Sequence, residues 1–392
     1  MPLPLDDVRV LSLGVSISAP LTARYLADLG AEVIKVEMPG KGDLAREWDT
    51  VVRGESAAHF WVNPNKKSIT VNLKAPKGRE IILRLAARSD IFLENFSPGA
   101  VDRLGLGYGA IREVSPRIIY LHASGYGQDG PYREGKAFDM LIQGEAGFVD
   151  PTGTPEQPCK VAVSICDGLT GLWGALSLLA AIRHRDRTGE GQELDLSMFD
   201  CAVSMLGYFP FYYWYRGEVP TREGIRHWMI IPYGGFRAAD GKWVSFACGS
   251  QVLWEKFCEV VGREEWLSDP RFSDNEARVR NRETLNAEIE RLIAAAPRDA
   301  WLEKFRQAGI PCGAVNNLAE VCEHPQTLHR NLFPEVEGPY GRVHIGKFPV
   351  RMGRITPRLA PPPRLGEHTE EVLRELGYSP QEVEAMRREG II

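Results

Sequence analysis

The chain reads as an α/β protein in which a large domain, built on a mostly parallel sheet, is joined to a smaller α+β domain. Three observations carry this. Strand-like and helix-like patterns alternate through roughly the first two hundred residues, the rhythm breaks after Tyr215, and 392 residues exceed what one hydrophobic core usually fills.

Residues 9–13 read as a strand, 20–29 as a helix with Pro20 near its first turn, and 31–36 as the next strand. Strands follow at 68–73, 90–94 and 117–122, with a helix at 78–88 between the first two of these. Strands separated by helices imply βαβ units and hence a Rossmann-like parallel sheet. The residues after Tyr215 behave differently. Residues 236–246 have strand propensity on both sides of Asp240-Gly241, a strong short-range hairpin signal, and helical stretches follow at 252–261, 277–295 and 299–308. Residues 342–352 alternate again, 357–363 are proline-rich and extended, and Ser379-Pro380-Gln381-Glu382 opens a last helix with a capping box. The expected organisation is a large domain at 1–205, a linker at 206–229, a small domain at 230–330 and a return to the large domain at 331–392.

Hydrophobic and charged contents of 44% and 25% are ordinary for a globular chain, and a net charge of -5 argues against a broad nucleic-acid-binding face. The N-terminus lacks the basic start and apolar stretch of a secretory signal. The apolar stretches 169–182 and 205–215 are shorter than a bilayer span and are read as core or interface helices, with no membrane partner. Seven cysteines without a CxxC pair fit reduced thiols, so a cytoplasmic setting is expected.

Several familiar chemistries are excluded by motif. Gly125-Tyr126-Gly127-Gln128-Asp129-Gly130 matches GxGxxG, but Pro131 follows at once and no apolar helix opens from it, so a nicotinamide or flavin site is not expected. GxxxxGK[ST], GxSxG and HExxH are all missing, and His324 and His329 lack the supporting carboxylates of a metal site. Asp167 is different. It opens the run Asp167-Gly168-Leu169-Thr170-Gly171-Leu172-Trp173-Gly174, where it reads either as a plain helix cap or as a carboxylate among small residues that leave room for a ligand.

Separated stretches, in order, resolve that choice by resemblance. Ala27-Asp28-Leu29-Gly30-Ala31-Glu32-Val33-Ile34-Lys35-Val36-Glu37, Asn65-Lys66-Lys67-Ser68-Ile69, Glu94-Asn95-Phe96-Ser97-Pro98-Gly99, Ser124-Gly125-Tyr126-Gly127, Asp167 and Arg187-Thr188-Gly189-Glu190-Gly191-Gln192 agree with one family in spacing. Gly309-Ile310-Pro311-Cys312-Gly313 and Leu365-Gly366-Glu367-His368-Thr369 extend the agreement, and only about 208–233 varies. The chain resembles the class III CoA-transferases, the group that includes formyl-CoA transferase, carnitine CoA-transferase and α-methylacyl-CoA racemase.

The resemblance implies that Asp167 attacks an acyl-CoA thioester, forms a mixed anhydride and then an aspartyl-CoA thioester, and passes CoA to an acceptor carboxylate. A helix N-terminus is expected to keep that nucleophile ionised. It further implies CoA contacts at Ser16, Ile17, Val71, Asn72, Leu73, Lys74, Asn95, Phe96, Arg103, Leu104 and Lys136, with Lys74, Arg103 and Lys136 suited to phosphates. Met38 stands where formyl-CoA transferase has an arginine. No tightly bound cofactor or metal is expected, and the family's interlocked homodimer is.

Racemases of this family place a histidine before an aspartate after the GYG motif, where this chain has Ala137-Phe138-Asp139. Phe138 cannot titrate, which disfavours a two-base racemase. Asp139 is read as structural or supporting. Arg226 and His227 precede the small domain and suit the far carboxylate of a succinate-, mesaconate- or itaconate-like acid, or are simply loop residues; both readings stay open. A non-catalytic acyl-CoA-binding protein is the alternative that would not need Asp167.

Overall fold

The computed structural model describes residues 2–392. Six strands form one parallel sheet: β1 (Arg9–Ser12), β2 (Glu32–Glu37), β3 (Lys67–Thr70), β4 (Ile91–Glu94), β5 (Ile119–Ser124) and β6 (Gln192–Ser197). Their spatial order is β3-β2-β1-β4-β5-β6, the doubly wound arrangement. A three-stranded antiparallel sheet holds β7 (Tyr233–Arg237), β8 (Trp243–Ala247) and β9 (Cys312–Ala314), and its hairpin turns at Asp240-Gly241.

The helices that matter for function are α1 (Ser18–Asp28), α2 (Pro76–Ala86), α3 (Asp139–Glu145), α4 (Ile165–Thr188), α5 (Phe209–Arg216), α6 (Gln251–Val261), α7 (Arg282–Ile293), α8 (Arg298–Gln307), α9 (Thr369–Glu375) and α10 (Pro380–Arg388). Side chains alternate across the large sheet with period two, so successive residues serve different cores. Leu11, Ile34, Phe92 and Tyr120 face a core completed by Ile81, Ile82 and Leu85 of α2 and by Val372, Leu373, Val383 and Met386 of the last two helices. Val10, Val33, Ile91 and Ile119 face the other, against Ala23 and Leu26 of α1 and Leu178 and Ile182 of α4. Burying such side chains is worth about 1.5–3 kcal/mol each, which is what fixes the register.

Two compact units result. One comprises the residues up to Ala146, Ala162–Leu206 and Arg330–Ile392; the other comprises Gly147–Val161 and Gly207–His329. Thus 147–161 groups with the second unit, and most of the expected linker belongs there too, with α5 inside it. The second unit has its own aromatic core, where Phe236, Phe246, Trp254, Phe257, Trp266 and Phe305 pack together.

Four expectations need correction. The helix expected over 277–295 is two helices, Asn275–Arg280 and α7, because Asn281 leaves helical geometry and its side-chain amide donates to the Ala277 carbonyl at 2.9 Å. β6 went unrecognised because an edge strand exposes alternate polar residues, here Glu193 and Asp195. The alternation at 342–352 yields only the short strand Val343–His344, paired with Glu335–Val336. Finally, the apolar stretch 169–182 lies within α4, whose 24 residues are long and apolar enough to cross a membrane. In this fold α4 instead packs on α1 and on β5 and β6.

Candidate active site

In a doubly wound sheet the crevice lies at the carboxyl ends of the strands where the order reverses, here between β1 and β4. The loops leaving those strands, around Val15 and Asn95, hold each other. The Asn95 side chain accepts from the Val15 N–H at 2.8 Å and donates to the Val15 carbonyl at 2.9 Å. Ser16 next to it has left-handed backbone, φ 65°, a conformation that costs a non-glycine residue roughly 1–2 kcal/mol. Its N–H is anchored by Asp43 Oδ1 at 2.8 Å, and Asp43 in turn receives buried Lys35 Nζ at 2.6 Å.

Asp167 enters this crevice from α4. Its helix starts two residues earlier than the aspartate, with Ser164 at the cap position, so Asp167 sits in the first turn and does not cap its own helix. That task falls to Asp139, whose Oδ1 accepts from the Cys166 and Asp167 N–H groups at 2.8 and 3.2 Å. The Asp167 carboxylate instead lies near the backbone N–H and the hydroxyl of Ser18, the first residue of α1, and both favour its ionised form.

Close contact between α1 and α4 makes this possible. A Cβ added to Gly174 would lie 2.6 Å from Thr22 Oγ1, and one added to Gly171 would lie 3.0 Å from the Leu21 side chain. These small residues therefore serve the helix crossing, where the sequence suggested room for a ligand; only Gly168 has open space around it. Burial and the neighbouring Asp139 charge push the Asp167 carboxyl up to about 7, with Ser18 opposing both. The helix N-terminus expected to keep Asp167 ionised is thus opposed by burial and by a second carboxylate beside it.

Asp167 lines a cavity of about 270 Å³ together with Ser16, Ser18, Asn95, Phe96 and Lys136, and with Arg133 and Phe138. A neighbouring cavity of about 480 Å³ shares Val15 and Phe96 as walls and is lined by Met38, Val71, Asn72, Leu73, Lys74 and Leu104. Two predicted contacts lie elsewhere. Ile17 is buried against Leu21 and Val62, and Arg103 ends a short helix, Ala100–Arg103, with its side chain exposed. Ser18 and Arg133 were not predicted; Ser18 has no sequence signal beyond its place before Pro20, since its approach to Asp167 exists only once α1 and α4 meet.

Arg226 and His227 lie in the second compact unit. The Arg226 guanidinium pairs with Glu290 and covers the Phe236 ring at 5.0 Å, so it is already engaged. His227 Nδ1 accepts from the Met229 and Ile230 N–H groups, both at 3.1 Å, which shapes its own loop.

The doubly wound sheet and the crevice at its switch point define an α/β protein with a ligand-sized site, and the comparisons identify its kind. Residues 5–369 match the family described as CoA-transferase family III, and the chain belongs to that family. It is 35% identical to succinyl-CoA:glutarate CoA-transferase of Homo sapiens over 99% of this chain and 90% of that protein. It is 33% identical to the alpha subunit of succinyl-CoA–L-malate CoA-transferase of Chloroflexus aurantiacus, over 100% of this chain and 93% of that one. The crystal structure of a CAIB/BAIF family protein from Brucella suis superposes with a TM-score of 0.86 at 35% identity, covering 96% of this chain and 100% of that chain.

Proposed function

We propose that this CoA-transferase moves CoA from an acyl-CoA thioester to a four- or five-carbon dicarboxylate, with Asp167 as the nucleophile. The observation that carries the reading is the half-buried Asp167 carboxylate in the wall of a cavity that shares Val15 and Phe96 with a larger one, in a chain whose relatives are named for succinyl-CoA and for glutarate or malate.

The larger cavity offers Met38, Val71, Leu73 and Leu104 as apolar surface for an adenine ring. Lys74 at that cavity, and Lys136 and Arg133 at the smaller one, supply cations for phosphates. An Asp167 oxygen attacks the thioester carbonyl carbon, the C–S bond breaks and CoA leaves as thiolate with the bonding electron pair. The thiolate then attacks Cγ of Asp167 in the mixed anhydride and releases the donor acid as its carboxylate. The acceptor carboxylate next attacks Cγ of the aspartyl-CoA thioester and expels thiolate, which takes the acceptor's acyl carbon and frees Asp167. Every bond cleaved is replaced by one of similar energy, so the thioester's free energy is retained if water is excluded. Phe138 at the cavity wall offers no second titrating group for racemisation.

A homodimer belongs to the same proposal. Leu172, Trp173 and Leu176 of α4 and, in the other unit, Phe211, Trp214 and Tyr215 of α5 leave large apolar side chains uncovered. Light scattering should give about twice the chain mass of 43.7 kDa.

The test exposes the enzyme to succinyl-CoA and hydroxylamine and maps the adduct by peptide mass spectrometry. A hydroxamate at Asp167, with transfer to glutarate, malate and similar acids exceeding transfer to monocarboxylates, is the expected result. An unlabelled Asp167 under turnover refutes the nucleophile; a preference for monocarboxylates refutes the acceptor class.

A further inference from the structure

We infer that Ser18 is a catalytic residue: its backbone N–H and hydroxyl form the oxyanion site for Asp167's own carbonyl oxygen in the two steps where Cγ of Asp167 is attacked. The inference rests on Asp167 being the nucleophile and assigns it a partner in the reaction.

Four observations converge on Ser18. It is buried, with 6% of its surface exposed, yet it lines the same cavity as Asp167. Its N–H and its hydroxyl both favour the ionised form of that carboxylate. It opens an eleven-residue helix whose cap position is held by Ile17, which has no side-chain acceptor to offer, so the N–H groups of the first turn look outward for one. Its own position is fixed, because Thr22 Oγ1 donates to the Ser18 carbonyl at 3.0 Å and the α1–α4 crossing is locked by Gly171 and Gly174.

The chemistry follows from which atoms change. While Asp167 is a free carboxylate, the oxygen facing Ser18 is within the influence of its donors and the other is the one available to attack. Once that second oxygen is joined to an acyl group, or replaced by sulfur, the first is a carbonyl oxygen. When thiolate attacks Cγ of the anhydride, the C=O π pair moves onto that oxygen, then returns as the bridging C–O bond breaks and the donor carboxylate departs. Acceptor attack on the aspartyl-CoA thioester runs the same way, with thiolate departing. In both, the negative charge appears between a hydroxyl and an N–H at the positive end of a helix, donors already in place before charge develops. Donors for the substrate's own acyl oxygen are a separate requirement.

The experiment compares the parent with Ser18→Ala and Ser18→Thr, using succinyl-CoA and glutarate. Ser18→Ala removes one donor and leaves the N–H, so kcat should fall roughly 10- to 100-fold while KM for the CoA thioester stays within about threefold. The acid limb of the kcat/KM profile should move to higher pH, and quenched-flow mass spectrometry should show slowed formation and decay of the aspartyl-CoA species. Ser18→Thr, which keeps the hydroxyl, should recover most of the turnover. Parent-like kcat and acid limb in Ser18→Ala, or a loss that Ser18→Thr does not restore, overturns the inference. Should Ser18→Ala not fold, Ser18→Cys, with a weaker donor of similar size, is judged by the same criteria. The two layers are distinguishable: if the parent itself gives no Asp167 adduct, the nucleophile assignment fails first; if it does and Ser18→Ala matches it, only Ser18's role fails.

Discussion

Two carboxylates in the large unit are taken out of water, and their environments send them in opposite directions. Burial alone would raise Glu37, but Arg46 grips both its oxygens at 2.7 and 2.9 Å, Lys35 lies nearby and Ser68 donates at 2.6 Å, which together hold it down at about 2. Asp167 is less buried, yet it is pushed up to about 7, because burial and the Asp139 charge beside it are opposed by Ser18 alone. The difference lies in counter-charge more than in depth. Glu37 is built to stay ionised and hold β2 to the residues around Asp43, whereas Asp167 is left short of compensation, as a group must be if its lone pairs are to react.

The comparison breaks most visibly by exchanging Asp167 for Asn. Asp167→Asn should reduce CoA transfer at least about a thousandfold, equivalent to ~4 kcal/mol of transition-state stabilisation, measured with deamidation excluded by mass spectrometry. The same substitution should stabilise the fold. A carboxyl whose folded value is raised from 3.8 to about 7 contributes stability below pH 4 that is lost as pH rises through 7, so at pH 8 Asp167→Asn should unfold on the order of 2–4 kcal/mol later in urea than the parent, with the gap closing below pH 4. A parent and variant of equal stability at pH 8 would mean the carboxylate is well compensated and the contrast with Glu37 is empty.

Glu37→Gln tests the other side. It leaves buried Arg46 without its bidentate partner and should destabilise the protein by about 3–5 kcal/mol in urea titrations at pH 7, with the aspartate chemistry intact in the fraction that folds. Because Glu37 is depressed from 4.5 to about 2, its stabilising share is complete above pH 4.5 and disappears as pH falls toward 2, so parent and variant should converge in acid.

How far this contrast was legible in the sequence depends on distance along the chain. The large sheet was readable because its strands carry apolar residues on two buried faces and sit between helices of the right length; the crevice followed from strand order. Asp167 was readable as a carboxylate near a helix start, but which helix it serves was not. Local preference makes Asp a cap for its own helix, and here it faces Ser18, nearly 150 positions away, while Asp139 caps α4. Gly171 and Gly174 were visible as small residues, though whether smallness admits a ligand or another helix is decided only by what packs there. Ile17 was placed at the ligand by family correspondence; its apolar side chain and the turn into α1 bury it instead.

A subtler substitution sharpens the account of Asp167. Asp139→Asn keeps an oxygen for the Cys166 and Asp167 N–H groups, so the start of α4 stays capped, but it removes the neighbouring negative charge. If Asp167 is the nucleophile, activity should rise with pH through about 7 in the parent as it ionises; in Asp139→Asn the rise should occur at lower pH, as read from kcat/KM profiles. An unmoved limb would assign the upward push on Asp167 to burial alone.

The smallest expected effect belongs to Arg226, a cation that resembles Arg46 more than it resembles a substrate clamp. Its partner Glu290 is half-exposed and its guanidinium lies over Phe236, so Arg226→Ala should cost about 1 kcal/mol of stability through lost packing and a weakly held ion pair. If the pair persists during turnover, KM for glutarate or malate should change less than threefold, with no shift in acceptor preference. A tenfold or larger rise in KM for dicarboxylates, with monocarboxylates unaffected, would show instead that Arg226 leaves Glu290 to bind the acceptor's far carboxylate, and would move it from the structural side of the comparison to the side of Asp167.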